Sequence, residues 1–382
     1  MTEPVLKEAA ADFAEAVRMV GRAMGALAQE LGELGEDAAR SRQSLIAALV
    51  VPLATTMALV LEVDSVWWAA ISGFMTTMAT GSASIQRGLR RLAGTVAGAV
   101  LAFVMARWLP YNHPALDLFI GATTMVGVVA MFVSPHGLAW LFATITVILV
   151  LMSGLTDPLL VPSVACNRVI EVAIGVTAAV VVTNIVAPHE PAAPAAPLPG
   201  WRHLLGAQWP VLLHGVRAAI SVVLVLHAWI LLDLPSMSQM AITIAVVMAV
   251  PGGAHGELAS RHAVAERALH RVMGCLLGGA VALVCLSLST TSFLLWLAMI
   301  AGGIWVCMHI QSSKRGVGYI GTQAGIVFIV TLIQGAAPPT SILPGIDRFA
   351  GITGGLVVLQ LVSLLLWPGE AAAAVEEKKP ES

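Results

Sequence analysis

Residues Arg91-Leu92-Ala93-Gly94-Thr95-Val96-Ala97-Gly98 set a basic residue ahead of two glycines four apart, and Arg271-Val272-Met273-Gly274-Cys275-Leu276-Leu277-Gly278 repeats the arrangement later in the chain. The offset between them also links Arg87 to Arg267, Arg168 to Arg348, Gly175 to Gly355 and Pro188 to Pro368. One offset joining so many turn and charge positions marks an internal duplication.

The stretches around these motifs are apolar, and so is the chain as a whole. Charged residues make up 11% of it and apolar residues 58%, against roughly 25% charged in soluble domains. That leaves too little polar surface to coat a water-facing globule, so the sequence reads as an all-α integral membrane protein. The net charge of -2 offers no footprint for nucleic acid. Cys166, Cys275, Cys285 and Cys307 lie in or beside apolar runs without a CxxC pair, which indicates neither a disulfide framework nor a metal site. There is no HExxH, GxSxG or GxxxxGK[ST] stretch. Enzyme chemistry, a cofactor and direct ATP drive are therefore not expected.

A hydrocarbon core of about 30 Å takes about 20 helical residues to cross. Apolar runs of suitable length fall near 44–62, 66–82, 92–109, 115–133, 137–155 and 168–187, and again near 212–232, 236–252, 269–288, 291–309, 317–334 and 349–367. The expected fold is thus about twelve transmembrane helices in two parallel six-helix repeats. Glu3, Glu8, Asp12 and Glu15 argue against a cleaved signal peptide and keep the N-terminus in the cytosol. With that start, every Lys and Arg except Arg107, Arg168 and Arg348 falls on the cytosolic side, as positive-inside orientation requires. Trp67, Trp68, Trp108 and Trp296 then belong at the outer boundary, and Trp201, Trp209 and Trp367 at the inner one.

These readings divide the chain into 1–42, a cytosolic amphipathic helix; 43–188, the first repeat; 189–211, a Pro-rich linker; 212–368, the second repeat; and 369–382, a tail. In the N-terminal helix Leu6, Ala10, Phe13, Val17, Val20, Met24, Leu27, Leu31 and Leu34 follow heptad spacing. Such a seam serves either a homo-oligomer or packing on the protein's own cytosolic loops.

The ordered set of Trp68-Ala69 opening a second span, Arg91-x-x-Gly94-Thr95 opening a third, and a sixth beginning at Arg168 and ending at Pro188 resembles the fusaric acid resistance and aromatic acid exporter family. The resemblance covers 43–368 once per repeat. In the second copy Cys275 replaces Thr95 and Met240-Ala241 stands for Trp68-Ala69. Many relatives carry a sizeable cytosolic domain that this sequence lacks. The resemblance implies a multi-pass protein of the bacterial inner membrane with both termini cytosolic. It also implies export of small organic acids, often aromatic, on the proton gradient, sometimes with a periplasmic adaptor protein.

Candidate residues follow from both lines. Gly94 and Gly98 with Thr95, and Gly274 with Gly278, form small-residue faces suited to close packing of the third and ninth spans at the repeat interface. Arg91 and Arg271 at the cytosolic mouths act either as headgroup anchors or as a funnel for a carboxylate. Arg168 and Arg348 run against the charge trend; either they are structural, neutralised by Glu171 beside Arg168 and Asp347 beside Arg348, or they serve substrate binding or gating, with Glu171 taking a proton and freeing Arg168 to release an anion. Glu171 and His227, the latter inside an apolar span, are the proton-coupling candidates, and Gln323 is a polar substrate-binding candidate. A passive anion channel and a membrane scaffold recruiting partners through the N-terminal helix are the rival readings.

Overall fold

A computed structural model describes residues 3–109, 112–187, 200–205, 209–232, 237–249, 261–288, 290–335, 339 and 341–366. The Pro-rich stretch 188–199, the segment 250–260 and the tail from 367 onward, including Trp367 and Pro368, lie outside the described residues.

Among the described residues the regular structure is all helical. The elements are α1 (Glu3–Gly32), α2 (Ala38–Val60), α3 (Val66–Thr76), α4 (Gly81–Met105), α5 (His113–Val133), α6 (Gly137–Thr156) and α7 (Leu160–Val186). After a single 3-10 turn at Trp201–His203 come α8 (Trp209–Leu232), α9 (Met237–Met248), α10 (Arg261–Ser287), α11 (Phe293–Gln311), α12 (Gly318–Leu332) and α13 (Leu343–Leu366). Nine of these helices are long and apolar enough to cross a membrane; α3, α9 and α12 are apolar but shorter. The protein is a multi-pass membrane protein.

Local chemistry explains several boundaries. The Asp37 carboxylate accepts hydrogen bonds from the amides of Ala39 and Arg40 and so caps α2, while Asn112 and Ser292 cap α5 and α11 through Ala115 and Leu295. The second span, expected to run to 82, stops at Thr76, where Thr77 turns extended. Its last carbonyls would be orphaned, and side chains take over: the Arg87 guanidinium donates to the Met75 carbonyl at 2.7 Å. The counterpart expected over 236–252 likewise ends at Met248.

Two packing units emerge, and neither coincides with a half of the sequence. Unit 1 comprises Met1–Leu92, Asn167–Pro194 and Arg261–Phe349; unit 2 comprises Ala93–Cys166, Ala195–Ser260 and Ala350–Ser382. In unit 1 α2 packs on α11 and α3 on α12. A core of Ala47, Phe74, Ile174, Trp296, Ile300 and Phe328 results. In unit 2 α8 packs on α5 and α9 on α6. Each unit therefore joins the first two helices of one copy to the fourth and fifth of the other. Trp296 is fully buried, and its indole N–H bonds to the Leu332 carbonyl at 2.9 Å.

The glycine motifs also pack differently from expectation. A Cβ added at Gly94 or Gly98 would be driven into the carbonyl of Ala139 or Ala143 on α6, and one at Gly274 or Gly278 into that of Ile320 or Ala324 on α12. The small faces thus seat the third helix of each copy on the fifth of the same copy, not on each other. Close backbone approach of this kind is what small residues permit.

The packing face of α1 is rotated from the heptad seam. Ala23 and Leu27 are buried against Met273, Ile310, Val317 and Ile320, whereas Val17, Val20, Met24 and Leu31 are exposed. The buried Glu30 anchors this face. Its carboxylate pairs with Arg40 and accepts from Ser313 and Arg315, each at 2.7 Å, while Arg315 also clasps Glu33. Burial pushes the Glu30 carboxyl up, but the hydrogen bonds from Arg40, Ser313 and Arg315 outweigh it and hold the group at about 2.

Candidate anion site

The arginines singled out from the sequence lie deeper than expected. Helices α4 and α10 begin earlier than their apolar runs, so Arg91 and Arg271 each sit ten residues in, about 15 Å along the axis at 1.5 Å per residue. Both are 2% exposed, and Arg168 and Arg348 are buried as well. An anchor at the headgroups would be exposed at its tip; these are interior charges.

All four belong to unit 1, and the structure brings them together in pairs. Arg91 is close enough to Arg168 and Arg87 for their charges to repel, and Arg348 stands in the same relation to Arg271. The residues holding each pair differ between the copies. In the first, Arg91 donates to the Ser72 hydroxyl at 3.2 Å, and the Arg168 guanidinium lies over the Trp68 ring, 3.5 Å from its centroid. Arg168 also reaches Glu171 at 3.4 Å, so the expected pair forms and is buried. Asn167, next to Arg168, bonds to Asp64.

In the second copy Arg271 donates to the Tyr319 hydroxyl at 2.9 Å, and Arg267 stacks on the same ring, 4.0 Å from its centroid. Gly351 occupies the position that matches Glu171. Asp347 is exposed while Arg348 is buried, so the expected neutralising role does not materialise: adjacent helical residues point about 100° apart.

The remaining candidates divide. Gln323 is buried on α12 where Gly274 approaches, and its side-chain oxygen has no hydrogen-bond partner. His227 is not an interior histidine: its ring is about half exposed, lies 3.5 Å from Asp117, and belongs to unit 2, whereas the arginine pairs belong to unit 1. The buried histidines are His214, bonded at 2.7 Å to the Met248 carbonyl that ends α9, and His309, 3.8 Å from Glu30. Sequence reasoning missed these, along with Ser72 and Tyr319. Tyr319 had a signal, being one of only two tyrosines in the chain and flanked by glycine-rich apolar sequence.

Chemically, two buried guanidiniums within electrostatic reach of each other, with an aromatic face and hydroxyl groups nearby, suit an oxyanion. Among the described residues no His, Cys, Asp and Glu cluster could hold a metal ion. No curated protein and no solved structure matches the chain. Residues 53–182 match the family described as fusaric acid resistance protein-like, a segment that runs from α2 into α7 and contains Trp68, Ser72, Arg91, Gly94, Thr95, Arg168 and Glu171. The similarity to the fusaric acid resistance protein-like family is confined to this segment, about a third of the chain.

Proposed function

We propose that this protein exports small organic anions, aromatic carboxylates foremost, across the bacterial inner membrane on the proton gradient. The observation that carries the reading is the recurrence, in both copies, of two buried arginines close enough to repel: Arg91 with Arg168, and Arg271 with Arg348. Ionisable groups inside membrane helices are expensive and mark transport pathways by default. Two like charges brought near each other in an apolar interior favour a visiting anion. With α3, α9 and α12 counted as short crossing elements, the chain spans the membrane twelve times. The Lys and Arg distribution then places both termini in the cytosol.

Glu171 is the coupling group in this scheme. A proton taken up by its carboxylate weakens the pair with Arg168 and changes the charge available to the anion. The exposed stripe of Val17, Val20, Met24 and Leu31 on α1 supports pairing of two chains. A periplasmic adaptor follows from the family resemblance alone.

The test is uptake of a labelled aromatic carboxylate into inside-out vesicles, with a proton gradient present and then collapsed by an uncoupler. Accumulation that disappears with the gradient is expected. Equilibration indifferent to the uncoupler would make the protein a passive anion channel. Absence of flux across a panel of acids would leave a scaffold, whose partner recruitment would be lost on deleting 1–36.

A further inference from the structure

Glu30 of α1 ends in a cage that α1 does not build. Its carboxylate is fully buried, and what holds it comes from elsewhere: Arg40 from the start of α2, and Ser313 and Arg315 from the turn between α11 and α12. The cage is fixed without its occupant. Arg40 also donates from Nε to the Ser312 hydroxyl at 3.2 Å and from Nη2 to the His309 carbonyl at 2.8 Å, and the Ser313 hydroxyl accepts from the Arg315 amide at 3.0 Å. Two guanidiniums and a hydroxyl preset around one carboxylate form an oxyanion site. In this structure the chain's own side chain stands in for the anion.

Glu30 fills this site incompletely. His309 Nε2 lies 3.8 Å from the carboxylate, and both ring nitrogens are buried without a hydrogen bond. An unmet polar group of this kind costs free energy, and an anion that is not tethered to α1 can settle closer to the imidazole. Arg315 also donates to Glu33, at 2.9 Å from Nη1 and 2.6 Å from Nη2, so a second carboxylate shares its fork. The Arg315 and Glu33 side chains are 35% and 39% exposed, which leaves this edge of the cage open to water.

Little else holds α1 in place. Among its side chains over 14–32 only Ala23, Leu27 and Glu30 are buried, and the first two rest on Met273, Ile310, Val317 and Ile320. Gly35, in left-handed backbone, turns the link from α1 to α2. Arg40 lies beyond that link and is held by the end of α11, so α1 can leave without taking the cage apart.

We propose that Arg40, Ser313 and Arg315 bind a short soluble dicarboxylate, which displaces Glu30 and Glu33 and releases α1. Two carboxylates are called for because α1 presents two to the same guanidinium, and a single one would leave the Arg315 fork half used. Release takes α1 away from Val317 and Ile320, which stand on either side of Tyr319 in the sequence, and so changes the packing beside the Tyr319–Arg271 hydrogen bond. The site is separate from the buried arginine pairs, and the inference does not depend on the anion-transport reading.

The experiment is equilibrium binding of radiolabelled succinate to the full chain in phosphatidylcholine nanodiscs at neutral pH and constant ionic strength, with hydrogen exchange of residues 14–32 followed alongside. Saturable binding is expected, with faster exchange at saturation. Glu30→Ala removes the internal competitor and should tighten binding by about tenfold or more, and Arg315→Gln in that background should weaken it by about as much. Butyrate, with one carboxylate, should compete about tenfold more weakly than unlabelled succinate. Because Arg315→Gln can disturb the turn between α11 and α12, Glu30→Ala carries the decision, since damage to the fold does not raise affinity. No saturable binding in the native chain, equal affinity in Glu30→Ala, exchange unmoved by saturating succinate, or butyrate competing as well as succinate would each overturn the proposal.

Discussion

The Arg168 guanidinium lies over the Trp68 ring at 3.5 Å and reaches the Glu171 carboxylate at 3.4 Å, so one buried cation is held by an aromatic face and an acid together. A desolvated contact of this kind is worth about 2 kcal/mol. Trp68→Leu should lower thermal stability in detergent by about that amount, and Trp68→Phe by roughly half as much, since a phenyl ring keeps a weaker face. Glu171→Gln leaves the stack intact and should abolish the gradient dependence of export while leaving anion binding measurable. Export by Glu171→Gln that still tracks the gradient would remove Glu171 from coupling.

Arg91→Ala combined with Arg271→Ala should eliminate export while expression stays normal. Lysine at either position should restore only part of the activity, because an ammonium lacks the planar fork that binds an oxyanion through two donors. The single variants should differ from one another, since Arg91 is held by Ser72 and Arg271 by Tyr319. Initial rates in the vesicle assay, normalised to protein content, decide the matter.

Valine at Gly94, Gly98, Gly274 or Gly278 must push apart backbones already in contact with Ala139, Ala143, Ile320 or Ala324. Overpacking of this type costs about 1–3 kcal/mol or more, and should appear as lost yield of folded protein and a lower melting temperature. Gly21→Ala is the control: nothing lies within 4 Å of a Cβ there. It should be neutral or stabilising by up to about 1 kcal/mol through helix propensity.

Docking of α1 should depend on pH through Glu30. Its carboxyl is held at about 2 against an ordinary 4.5. A depressed acid contributes stability above its unfolded value and loses it as pH falls toward the folded one, here between about 4.5 and 2. The shift corresponds to at most about 3.4 kcal/mol. Protection factors of residues 14–32, which remove the pH dependence of intrinsic exchange, should fall steeply across that interval and hardly change between neutral pH and 5. In Glu30→Gln exchange should be fast throughout, with no acid step.

The membrane class, the helix content and the duplication could be read from Arg91, Gly94 and Gly98 and their counterparts, because composition and a fixed offset survive without knowledge of packing. Most span positions followed from apolar runs. The starts of α4 and α10 did not, because Arg87, Arg90, Arg267 and His270 look like loop residues until a fold buries or stacks them. His227 was chosen because its neighbours are apolar, yet a membrane helix is apolar on its lipid side too, so hydropathy says nothing of which way a ring points. The cage around Glu30 and the support of Arg271 by Tyr319 depend on contacts between elements far apart in sequence, which no local pattern encodes. The buried face of α1 was hard to read for a related reason: its most completely buried anchor, Glu30, is a charge outside the heptad seam.

The exchange of helix pairs between the two copies sets the order in which the protein can be completed. Helices α2 and α3 leave the ribosome early, right behind α1, but the surfaces they are shaped for arrive only with α11 and α12, near the end of synthesis. At about 5–20 residues per second, that delay lasts on the order of ten seconds or more. Lipid can cover their apolar faces meanwhile, but it cannot supply the side chains of α11 and α12 on which they pack. The nascent first half is thus an unfinished object that needs its own duplicate, and a gene cut at the linker should give two fragments that mature only when made together.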